Sequence, residues 1–187
     1  MEKINIIEEV RKFVEEECKK PTSHYGYEPY SFHFVPMHAY AKMLAEKLNS
    51  DLEIVEIAAW LHDIGSIMYG RENHHMTGAD IAEKKLKELG YPENKIERVK
   101  ACIVSHRGSV QMMKESKEAQ IIADADAMSI FDNIGGQFKA AYSYEDRTQE
   151  EGNRAVKQKL VNSFNKMSES AKEIIKPKYE AAMLLLG

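Results

Sequence analysis

Residues 58–80 read AAWLHDIGSIMYGRENHHMTGAD. With Ile54 and Ile57 just upstream, Ala58 and Leu61 recur at helical spacing, so the left half belongs to an apolar helix. That helix runs into His62 and Asp63, and Leu61 and Ile64 flank the doublet. One or both polar groups must then point into low dielectric, where a carboxylate needs a hydrogen-bond network or a cation. A second pair, His74 and His75, follows a short polar loop. Neutral imidazole with carboxylate is a ligand mix suited to Zn, Mn or Fe. Alone, the doublet could equally be a salt bridge.

Working outward, Ser50-Asp51-Leu52-Glu53 has the form of a capping box, with Ser50 capping the apolar helix and Glu53 reaching back. Gly65 can end that helix in a left-handed conformation. Residues 3–19 place Ile4, Ile7, Val10 and Val14 on one stripe, and residues 32–49 turn Met37, Ala41, Leu44, Ala45 and Leu48 inward. Thr77 opens a helix that Gly90 stops, and Pro92 suits the first turn of the next, which leads to His106. Further helices are predicted near 116–131, 132–144, 148–168 and 171–185, with Pro177 delaying or kinking the last. No repeat or convincing strand pair interrupts this pattern, and the β-rich SHRGSVQMM is short and isolated. The expected fold is all-α: a compact single-domain helical bundle over 1–187.

A chain of 187 residues with 43% hydrophobic and 30% charged residues can bury a core without staples. A net charge of -4 argues against nucleic acid as a partner. The two cysteines, Cys18 and Cys102, form no metal-ribbon spacing and are expected to be reduced thiols. The first twenty residues are too charged for a signal peptide, and no apolar run approaches the ~20 residues that cross a bilayer. A cytoplasmic location, away from membranes, is the expectation.

The remaining chemistry lies in histidines and aspartates at helix ends: His33, then His62-Asp63, His74, His106, and Asp126 within IIADADAM. Helix ends of this kind can converge in a bundle to build a metal site. In this order of motifs the sequence resembles the HD-domain superfamily of metal-dependent phosphohydrolases, over about Ser31 to Met128. The resemblance implies an HD core near 31–130, flanked by helices over 1–20 and 132–187. HFVPMHAYA then supplies His33, AAWLHDIG supplies His62 and Asp63, and ADADAM supplies Asp126 as ligands of the first metal. HHMTGAD is similar to the H-x-x-x-G-A element, which selects His74, and IVSHRGS resembles the later His element, His106. Members with this longer set tend to hold two metals bridged by the doublet's aspartate, giving His74 and His106 to the second. A single metal with His74 and His106 as phosphate contacts stays open.

Several positions keep alternatives. His38 lies on the other flank of the second helix, and Pro36 in its first turn could leave His33 outside; the family spacing prefers His33 and leaves His38 either behind the ligands or facing the substrate. His75 competes with His74, which wins only by its distance to Gly78, and is kept as a substrate contact. Asp124 points away from Asp126 and is expected to cap, pair or orient. Met112, Met113, Met128, Met167 and Met183 read as core filler. The aromatic group Tyr25, Tyr27, Tyr30, Phe32 and Phe34 either walls the pocket or staples its loop, and Trp60 reads as core.

The resemblance implies a metal-dependent phosphohydrolase acting on a small phosphate ester or anhydride, a nucleotide foremost. One or two divalent metals (Mn, Fe, Co, Ni or Zn, with Mg in range) would activate water, with Asp63 and Arg107 as the catalytic groups. Arg107 would also bind phosphate oxygens, with Arg71 and Lys114 as weaker candidates. A di-iron oxygenase of the HD type and a non-catalytic nucleotide-sensing module are the alternatives, and a homo-oligomer is open.

Overall fold

The computed structural model describes residues 5–106 and 116–187. Among them every regular element is helical and no strand occurs. The element that organises the rest is α3 (Leu52–Leu61), whose residues from Ile54 to Leu61 are all buried. A helix apolar on all sides belongs at the centre of a bundle, and α3 packs against α1 (Ile6–Lys19), α2 (Val35–Leu48), α6 (Glu93–Ser105) and α7 (Lys117–Ser129). Each fully buried Ile or Leu here contributes about 1.5–3 kcal/mol relative to exposure. Ala41 and Ala45 of α2 and Ala58 and Ala59 of α3 are all buried.

The cap of α3 differs from the sequence expectation. Asp51, not Ser50, sits at the N-cap, and its side chain accepts from the Ile54 amide at 3.3 Å. Gly65 also has another job. It lies inside α4 (Ile64–Tyr69) with an ordinary backbone, and a Cβ there would collide with the His74 carbonyl, the Thr77 hydroxyl (2.6 Å) and the Gly78 amide (2.7 Å). The glycine thus lets α4 press onto α5 (His74–Glu88). That helix starts at His74 rather than at Thr77, after Asn73 adopts a left-handed φ of 50°.

The second predicted helix is also modified at its start. Tyr30–Phe34 form a π-helical turn that runs directly into α2, with Pro36 in the first α turn. Downstream, α7 continues through a short 3-10 turn, Ile130–Asp132, to α8 (Ile134–Lys139) and a second π turn, Ala140–Tyr144. Next come α9 (Gln149–Lys166), opened by a Thr148/Glu151 capping box, and α10 (Glu169–Leu185), which continues through Pro177. Both pack on α7. Asp124 fastens this end, accepting from the Ser168 amide (3.0 Å) and from Gln120 (2.9 Å). The two cysteines are buried free thiols. No described helix is long and apolar enough to cross a membrane.

Candidate metal centre

Six of the side chains singled out in the sequence come together. His33 arrives from the π turn, His62 and Asp63 from the break between α3 and α4, His74 from the start of α5, His106 from the end of α6, and Asp126 from α7. His33 lies in the π turn, two residues before α2 begins, and faces the cavity.

The hydrogen bonds fix what each imidazole presents. Nδ1 of His62 faces the Ala59 carbonyl at 2.8 Å, and Nδ1 of His74 faces the Arg71 carbonyl at 2.8 Å. Nδ1 of His106 faces the Ile103 carbonyl in the same way. A carbonyl only accepts, so each Nδ1 carries a proton and donates, and in the neutral ring Nε2 is the lone pair. His33 reaches the same state indirectly. Ser129 donates its hydroxyl hydrogen to the Asp126 carbonyl (2.8 Å), so its oxygen accepts from His33 Nδ1 at 3.0 Å.

Four Nε2 lone pairs therefore converge. Those of His33 and His62 stand 3.0 Å apart, which is repulsive unless a proton or a cation lies between them. Two nitrogens bound to one ion at about 2.0–2.1 Å stand roughly 2.9–3.4 Å apart, so the spacing suits a shared metal. Asp63 faces both sides: Oδ2 is 3.6 Å from His33 Nε2, while Oδ1 is 3.4 Å from His74 Nε2 and 3.7 Å from His106 Nε2. Asp126 Oδ1 joins the first side, 3.8 Å from His33 and 4.0 Å from His62. Two groups could each hold a metal ion, His33-His62-Asp63 and Asp63-His74-His106, and they share Asp63. Partly exposed Glu83 and exposed Glu93 and Glu97 form a third acidic group, but each is already paired with Lys87 or Lys100.

Burial and charge act in opposite directions in this cluster. Burial lowers the His62 pKa to about 4. Burial also disfavours the charged forms of Asp63 and Asp126, yet the surrounding histidines hold both carboxyls below the usual range. Burial opposes protonation of His33 and His106 too, and the Asp63 hydrogen bond together with the charges of Asp63 and Asp126 outweighs it and raises both.

The cluster opens onto a cavity of about 700 Å³, a size suited to a small ligand. His33, Asp63, His74, His106 and Asp126 line it, with fully buried His62 behind them. Other predicted contacts are placed elsewhere. His38 does not reach the cavity: its Nε2 meets the buried Glu56 carboxylate at 3.1 Å and its ring stacks on Trp60. A buried carboxylate needs such a partner, which corrects the substrate-facing role. His75 sits edge-on to His74 at 5.7 Å and does not line the cavity. Arg107, Lys114, Met112 and Met113 lie outside the described residues, as does most of SHRGSVQMM. The aromatic group divides: Tyr27 stacks on Tyr30 and Tyr30 on Trp60, while Tyr25 and Phe32 line the cavity.

Sequence reasoning missed Ser129 and the lysines Lys139, Lys159 and Lys166 on the cavity wall. The signal for two of these is regular spacing, since Lys159, Ser163 and Lys166 fall at i, i+4 and i+7 on α9 and share one face.

An all-helical bundle that gathers histidines and aspartates from five elements around one cavity defines a helical protein with a candidate metal centre. The HD domain family matches residues 30–130, 101 of the 187, and the chain belongs to that family. An uncharacterised protein of Clostridium beijerinckii is 33% identical over 101 residues, which span 52% of this chain and 62% of that relative. The match therefore covers less than two thirds of the relative's length. Among solved structures, a Listeria innocua protein superposes with a TM-score of 0.75 at 18% identity, covering 100% of this chain and 94% of its own. An HD-superfamily hydrolase from Bacillus thuringiensis gives 0.72 at 19%, covering 96% and 92%. YpgQ of Bacillus subtilis, solved in complex with ADP, gives 0.70 at 20%, covering 96% and 92%. The fold is that of HD-superfamily hydrolases.

Proposed function

We propose that this protein is a metal-dependent phosphohydrolase that cleaves a small phosphate ester or anhydride, a nucleotide foremost. The observation that carries the reading is the convergence of four bare Nε2 lone pairs and two carboxylates on one cavity wall. His33, His62, Asp63 and Asp126 would hold one divalent cation, and Asp63, His74 and His106 a second, with Asp63 giving one oxygen to each. The nitrogen-rich set suits Mn, Fe, Co, Ni or Zn better than Mg. Bound ions of this kind supply an acidified water and a Lewis acid for the phosphoryl group.

The chain's own residues position and screen. The backbone carbonyls and Ser129 hold each imidazole in one tautomer, Ser66 donates to Asp63 Oδ1 at 3.2 Å, and the buried α3 end keeps bulk water from behind the cluster. Arg107, next to His106 in sequence, is assigned to the phosphoryl oxygens. Hydrolysis joins the water oxygen to phosphorus, breaks the P–O bond to the leaving group, and delivers a proton to the leaving oxygen. Tyr25 and Phe32 on the cavity wall, and the ADP bound by YpgQ, support a nucleotide. The shared cavity and the packing of α9 and α10 on α7 support one functional unit over 1–187.

The test is metal analysis of protein purified without a chelating tag, then a phosphate-release screen on nucleotides with Mn, Fe, Co, Ni and Mg. Asp63→Ala is expected to lose metal and to lower activity by more than about 100-fold, beyond the loss typical for residues that only orient ligands. Full metal content and activity in that variant would overturn the site assignment. Oxygen consumption without phosphate release would point instead to the oxygenase chemistry.

A further inference from the structure

Most basic side chains in this protein have a carboxylate partner; three on the cavity wall do not. Among the described residues, Arg71, Lys159 and Lys166 form no ion pair, whereas Lys139 on the same wall is neutralised by Glu28 at 2.6 Å. Lys159 donates to the neutral amide of Gln137. The two acids whose charge reaches Lys159 are engaged elsewhere: Asp126 faces His33 and His62, and Glu145 pairs with Arg147 at 2.6 Å. Three solvent-exposed cations thus line one cavity, where an anion would offset their positive charge. A guanidinium fork with two ammonium groups matches the oxygens of a phosphate.

We propose that Arg71, Lys159 and Lys166 form a second phosphate subsite, so that the preferred substrate carries at least two phosphoryl groups. This rests on the phosphohydrolase reading, in which the His/Asp wall acts on one phosphoryl group while this subsite grips its neighbour. A nucleoside di- or triphosphate fits the description, and a simple phosphomonoester leaves the subsite empty.

The test uses the metal-loaded full chain and two non-hydrolysable probes, methylenediphosphonate and methylphosphonate, titrated calorimetrically. Wild type is expected to bind the diphosphonate more tightly. Lys159→Gln and Lys166→Gln should each weaken it by about 10-fold, the order expected for a lost hydrogen bond to a charged group. Methylphosphonate affinity should stay unchanged, Lys159→Arg should keep the discrimination, and thermal melts identify any misfolded variant. No diphosphonate binding, equal affinity for the two probes, or equal losses for both in the variants would overturn the subsite. Neither probe turns over, so failure of the phosphate-release screen would sink the hydrolase reading while leaving these affinities to judge the subsite by themselves.

Discussion

A histidine ligand offers one lone pair, and the partner of its other nitrogen decides which one. Here three of the four partners are carbonyls three residues back on the same chain, so local backbone sets the tautomer. His33 is the exception and depends on the buried Ser129 hydroxyl. Ser129→Ala is therefore expected to weaken metal binding by about 10–100-fold, read by competition with a chelator, while Ser129→Thr, which keeps the hydroxyl, should lose less. Equal affinity in Ser129→Ala and wild type would show that His33 needs no such support. The six clustered residues were legible because their order and spacing sit at helix ends. The choice between His33 and His38 was not decidable from α-helical counting, because a π turn changes the direction of His33. Ser129 was invisible for another reason: it acts on His33, far away in sequence, and nothing in its own neighbourhood marks it.

At the scale of elements, helix identity followed from apolar periodicity, and the errors fell at boundaries. Ser50 and Asp51 both look like caps, and only the backbone turn chooses between them. Gly65 was readable as a special position but for the wrong reason, since a helix stop and a close helix crossing both call for glycine. The two glycines facing across α4 and α5 now separate by their surroundings. Gly65→Ala would drive a methyl group into α5 backbone atoms and is expected to cost ~1–3 kcal/mol or more. Gly78→Ala meets only ordinary contacts, with its nearest neighbour 3.5 Å away, and should be neutral or stabilising by up to about 1 kcal/mol. Denaturant melts of the two variants check this, and similar destabilisation of both would refute the crossing geometry.

At the scale of the whole molecule, stability should depend on pH through groups outside the cavity as well as within it. Burial lowers the pKa of His38, with Lys42 assisting and Glu56 opposing. The unfolded chain therefore takes up this proton at a higher pH than the fold does, and the His38 contribution is present above the ordinary value of 6.5 and lost as pH falls below it. The melting-temperature advantage of wild type over His38→Gln should shrink between pH 7.5 and 5.5. An advantage that grows over that range would reverse the sign and refute it. Global topology was legible as an all-helical bundle, but the gathering of basic groups from α9 beside a cluster built by α2 to α7 was not, because it depends on how distant helices pack.

The ring stack from Tyr27 through Tyr30 and Trp60 to His38 has one more consequence. Trp60 is the protein's single tryptophan, it is buried, and it lies two residues before His62 with the His38 ring 4.6 Å from its own. Its fluorescence is therefore an intrinsic optical probe, free of interference from any other indole. Emission quenching on acidification is expected to follow the protonation of His38, and a change on adding metal would report events at the end of α3, without a label attached anywhere on the chain.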